Sequence, residues 1–150
     1  MELISKLFDM DLSKLVPKLP VFLGLLHTLL VLAVLVGPIL MVVLGALYLF
    51  KPAPEANYKY GFRTYFGMGS IEAWQFSQKI AGLIFGALGA LLLIIMFIVV
   101  LTFIKKDLFQ IAGTAIVCLI WEAVLALAAR AAISILCWKY FDKDGNRRKQ

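Results

Sequence analysis

Three long apolar runs separated by short polar breaks dominate the chain: Val21 to Phe50, Ile80 to Ile104, and Leu108 to about Tyr140. Each exceeds the roughly 20 apolar residues that a helix needs to cross bilayer hydrocarbon, where backbone polar groups must pair within the segment. The pattern predicts an all-α integral membrane protein, a bundle of three transmembrane helices. Ahead of it, Leu3, Ile4, Leu7, Phe8, Leu12, Leu15 and Val16 recur at helical spacing, with Lys6, Asp9, Asp11 and Lys14 between them. That spacing predicts a short amphipathic helix lying in the interface, or alternatively binding a partner, and ended by Pro17 and Pro20. The expected organisation is an interfacial segment over residues 1–20 and a three-helix membrane domain over 21–150.

Composition agrees. The chain has 150 residues, 63% hydrophobic and 16% charged, against roughly 45–50% and 25% in soluble domains. Met1 to Pro20 lacks the basic stretch and short apolar core of a secretory signal peptide, and no small-residue cleavage site follows the first block. Cys118 and Cys137 both fall in the third run, 19 residues apart, too far along one helix to pair. They read as packing residues. His27 is the one histidine, so no metal centre or other cofactor is expected.

The net charge of +6 points to lipid, not nucleic acid, because five of the cations (Lys139, Lys143, Arg147, Arg148, Lys149) lie in the last twelve positions, beside the last span. Counting Lys and Arg puts five with the N-terminal arm and the 105–107 turn, and nine with loop 51–79 and the tail. The positive-inside rule then predicts a cytoplasmic loop and C-terminus and an N-terminus outside.

Within the spans, Gly37-Pro38 interrupts the first helix, where proline removes a hydrogen bond. His27 reads either as a proton relay or as a hydrogen-bonded packing residue. Ser70 suits an N-cap for the second helix, Glu72 its positive end, and Trp74 the headgroup level. Gly82, Gly86 and Ala90 form a small-residue stripe that permits close helix approach, within the chain or in a homo-oligomer. On the third helix Gln110, Thr114, Cys118 and Glu122 recur every four residues, and Arg130 lies two turns further on. An intramembrane Glu122 must face protein or water, as a proton or substrate site or as a structural polar network. Twelve ångströms or so of helical rise keep it from Arg130, so each should find a partner elsewhere.

The loop from Asn57 to Trp74 is too elaborate for a connector. It carries Gly61, Gly67 and Gly69, a guanidinium fork at Arg63, and aromatics at 58, 60, 62, 65 and 66. Arg63 is expected to pair with an acid, Glu72 or Glu122, or with helix-end carbonyls. The order Asn57, then Gly61-Phe62-Arg63-Thr64, then Ser70, then Glu72-x-Trp74 at the head of a membrane helix resembles the SdpI family. Gln78-Lys79-Ile80-Ala81-Gly82 and the tail Phe141 to Arg148 are similar to the family's continuation, so the resemblance spans roughly residues 55–148. The founding member is an immunity protein against the sporulation-delaying-protein toxin, and it holds a repressor at the membrane. The present chain lacks that protein's longer set of N-terminal spans.

The resemblance implies a bacterial inner-membrane protein that binds a partner, a membrane-active peptide toxin or a membrane-recruited repressor. Its motif residues, Asn57, Gly61, Phe62, Arg63, Thr64, Ser70, Glu72 and Trp74, are the candidates for that contact or for bracing the helix ends. A small oligomeric transporter or channel subunit using Glu122 and Arg130 is the alternative. No nucleophile–base pair or carboxylate pair points to an enzyme.

Overall fold

A computed structural model describes residues 19–56 and 60–148. The predicted amphipathic helix before Leu19, and Asn57, lie outside the described residues. Three long helices follow one another: α1 (Leu19–Phe50), α2 (Ile71–Thr102) and α3 (Leu108–Tyr140). All three are long and apolar enough to cross a membrane. The chain is a membrane protein of three spanning helices.

Polar side chains begin the second and third helices. Ser70 Oγ accepts the Ala73 N–H at 3.1 Å, and Asp107 Oδ1 accepts the Gln110 N–H at 2.8 Å; each thus satisfies one of the free donors of a first turn. Between α2 and α3 a 3-10 turn, Phe103–Lys105, reverses the chain around the buried Phe103. In α1 the helix runs unbroken through Pro38.

Lipid provides no hydrophobic drive for helix association, so close packing must supply the attraction. Along α1 and α2 glycine makes that approach. A β-carbon on Gly45 would lie 2.6 Å from the Gly86 Cα, and one on Gly82 would meet Leu49. Gly89 lies as close to Met41 and Val42. The stripe therefore faces α1 through Gly82, Gly86 and Gly89, while Ala90 is exposed. Outward, Leu29, Leu91, Ile94, Phe97, Ile120 and Leu127 form an apolar surface, as a lipid-facing perimeter requires.

The α1–α2 contacts also fix relative height. Because Leu49 sits on Gly82, the first ten or so residues of α2 project beyond the end of α1, by about 15 Å. The connecting segment folds around that projection, and the tail after α3 joins it there. This end of the bundle carries the candidate site.

Candidate functional site

The projecting turns of α2 present Trp74 and Gln78, four residues apart and so on one face. Both side chains are fully buried, and both grip the loop by its backbone. The Trp74 indole N–H donates to the Ala53 carbonyl at 2.8 Å. Gln78 Oε1 accepts the Phe62 N–H and its Nε2 donates to the Phe62 carbonyl, each at 2.8 Å. Nε2 also reaches Ser77 Oγ, which in turn donates to the Trp74 carbonyl. A buried loop peptide needs such partners, since no water is there to replace them.

Two features explain why Gly61 precedes Phe62. Its φ of 119° lies in the region that favours glycine, and a β-carbon there would meet the Trp74 ring at 2.6 Å. Phe62 then turns its ring inward, edge-on to Tyr48 of α1 and tilted against Phe85 of α2. Thr64 is buried too, its hydroxyl accepting the Gly67 N–H at 2.9 Å.

The tail closes the other side. Ser70 Oγ, already the N-cap of α2, donates to the Gly145 carbonyl at 2.7 Å. Gly69 and Gly145 lie back to back, and a β-carbon on Gly69 would come within 2.6 Å of the Gly145 nitrogen. Phe141 is fully buried against Phe76, and Phe141 and Arg147 form an antiparallel bridge around a tight turn. Asp142 sets that turn, accepting from the backbone N–H groups of Asn146 and Asp144 and from the Asn146 side chain. These bonds, led by that from the Asn146 backbone, with the Arg148 charge, hold the Asp142 carboxyl below the usual carboxylate range. Arg148 donates to the Phe141 carbonyl and lies over the Trp138 ring.

The described motif residues converge here but do different work. Gly61, Phe62, Thr64, Ser70 and Trp74 point inward and build the cap. Glu72 is exposed and pairs with Arg147 at 3.7 Å. Arg63 is exposed; it borders a recess of about 390 Å³ lined also by Leu47, Tyr48, Lys51, Tyr60 and Gly61. Tyr65 stands out beside it, 75% exposed.

The intramembrane polar residues do not assemble into one site. Glu122 is buried against Gly37, whereas His27 is half-buried ten residues earlier on α1, about 15 Å along the axis. Arg130 extends toward the loop and lies over the Phe62 ring, 5.8 Å from its centre. Gln110 is exposed, and Thr114 is held between the Gln110 carbonyl and Lys106. A four-residue repeat precesses by about 40° per step, which carries the row from exposed Gln110 to buried Glu122.

Reading the residues in sequence overlooked Gln78 and Ser77 as the clamp and Gly37 as the seat of Glu122. The four-residue offset from Trp74 to Gln78 was the available signal.

Against known proteins, the model of the SdpI/YfhL protein family matches residues 55–136, more than half of the chain, from the loop after Ala53 into the last turns of α3. No significant match was found among curated proteins or among solved structures. The match begins two residues after Ala53, takes in the clamp, the N-cap and the Trp-headed helix, and includes Glu122. The chain belongs to the SdpI/YfhL family.

Proposed function

We propose that this protein is a non-enzymatic binding protein of the bacterial inner membrane. It protects its cell against a membrane-active peptide toxin, or passes on an envelope signal, by holding a partner at the loop cap. In this reading the loop and C-terminus face the cytoplasm and the N-terminus lies outside. One observation carries the proposal. The inward-facing motif residues fix a loop backbone whose outer face presents Tyr60, Arg63 and Tyr65, with Tyr60 51% and Tyr65 75% exposed. Aromatic and arginine side chains on a rigid support are the groups that dominate protein recognition.

Expression in a toxin-sensitive bacterium, challenged with secreted membrane-active peptides, tests the reading. Survival should rise with the wild-type chain and fall with Arg63→Ala or Tyr65→Ala at equal membrane abundance. Unchanged protection in both variants, or none from the wild type against any peptide, overturns it.

A second reading, a small oligomeric transporter or channel subunit, draws on the unpartnered carboxylate oxygen of Glu122. Arg130, its supposed companion, is engaged with Phe62 instead. Proton-coupled uptake abolished by Glu122→Gln would favour that reading over the first.

A further inference from the structure

On facing helices of the bundle interior, one buried carboxylate oxygen lacks a hydrogen-bond partner and one buried carbonyl lacks its helical donor. Pro38 has no N–H, so the Val34 carbonyl in the preceding turn of α1 is without its helical donor. Val34 is fully buried, which keeps water from filling that role. Immediately before the proline, Gly37 leaves open the space a side chain would take. Glu122 of α3 reaches into it, with Oε2 so near that the β-carbon of any other residue would collide with it. Glu122 is 6% exposed, and its Oε1 is buried with no hydrogen-bond partner.

Among the described residues, no cation pairs with the Glu122 carboxyl. On α3, Cys118 is one turn away, Lys106 is bonded to Thr114 four turns away, and Arg130 is drawn off to Phe62. On α1, His27 is ten residues from Gly37. Gly89 lies against Met41, so α2 meets this level with Leu92 and Met96, both apolar and buried. An ionised carboxylate only accepts hydrogen bonds, whereas a protonated one also donates. A bare carboxylate in such surroundings is unfavourable and takes up a proton instead.

We propose that Glu122 is a proton-binding site within the bilayer. It is held as the neutral acid, and its O–H donates to the Val34 carbonyl that Pro38 leaves without a donor. The proton thereby joins α3 to α1 at the one level where α1 cannot complete its own hydrogen bonding. Gly37 and Pro38 act together in this arrangement: the glycine admits the carboxyl, and the proline supplies the waiting acceptor.

Infrared difference spectra of the full-length protein in an ester-free detergent, wild type minus Glu122→Gln, test the protonation directly. A carboxylic-acid carbonyl band that persists in neutral buffer is expected. Its absence overturns the proposal. Melting temperatures test the bond. Glu122→Gln, whose amide can donate in the same place, should stay near wild type, while Glu122→Leu should fall by about 2–4 °C or more. Pro38→Ala restores an N–H to Val34, so Glu122→Leu should cost clearly less in that background. Equal loss from Gln and Leu, or an equal cost of Glu122→Leu in both backgrounds, overturns the pairing with Val34. The infrared band does not depend on whether the Pro38 variant folds.

Discussion

Gln78 grips the Phe62 peptide on both its polar groups, accepting its N–H and donating to its carbonyl at 2.8 Å each. A side-chain amide thereby does for the loop what a neighbouring strand would do in a sheet. Phe62 is also where α1, α2 and α3 meet the loop, through Tyr48, Phe85 and Arg130. Losing the grip should loosen all three contacts together.

Gln78→Leu should therefore destabilise the protein by roughly 2–6 kcal/mol, since two buried backbone groups lose their partners at about 1–3 kcal/mol each. Gln78→Glu should restore the grip only as the neutral acid, because an ionised carboxylate has no proton to offer the Phe62 carbonyl. Unfolding in detergent, followed by Trp fluorescence, measures both variants. Wild-type stability of Gln78→Leu would contradict the clamp.

Glycines in this chain divide into those that admit a neighbour and those that do not. Gly45→Ala should lower stability by about 1–3 kcal/mol, because its β-carbon would meet the α2 backbone at Gly86. Gly113 has nothing within 4 Å of its β-carbon position. Gly113→Ala should raise stability by about 0.5–1 kcal/mol through the helix preference of alanine over glycine. Opposite signs for the two substitutions, read in one thermal assay, are the expected result.

Ser70 serves two masters with one hydroxyl. Ser70→Ala removes an N-cap, worth about 1 kcal/mol, and leaves the Gly145 carbonyl without its donor, worth about 1 kcal/mol more. Gly145→Ala should undock the tail more fully, since its φ of 77° favours glycine and its β-carbon would meet Ser70. Limited proteolysis after Tyr140 should speed up in both variants, and more in the second.

Acid should release the tail turn. The folded-state pKa of Asp142 is depressed, so its contribution is present above the unfolded value, near 3.9, and is lost as pH falls through the lower folded value. The Trp138 environment, which Arg148 covers, should change over that acidic window in the wild type. Asp142→Asn should show no such transition. A wild-type transition centred at or above the ordinary carboxylate value would contradict the depressed pKa.

The spans and the start of α2 were legible in the chain because each rests on a local rule. Length and apolarity mark a span, and Ser70 followed by Glu72 marks a helix start. The cap was legible only as a family pattern. Which of its residues point inward depends on contacts between segments far apart in sequence, such as Ser70 with Gly145 and Trp74 with Ala53. The ion pair of Glu72 illustrates the limit. Its partner is Arg147, 75 residues further on and brought back to it by the returning tail. For the small-residue stripe, four-residue spacing named Gly82 and Gly86 correctly as a contact surface. Gly89 takes the third place, and Ala90, one residue on, is rotated by about 100° away from α1.

The dependence of the cap on residues after α3 sets an order on biosynthesis. Chains are made N-terminus first, and the loop that Trp74 and Gln78 hold is complete long before Gly145 is made. Until α3 has inserted and the turn at Asp142 has formed, Ser70, Gly69 and Phe76 lack their counterparts. The tail thus seals the cap only after α3 is made. A ribosome stalled within α3 would leave two spans in the membrane with their cap unsealed. Exposed loop backbone on such a chain would distinguish it from a finished molecule to any protease that surveys that face.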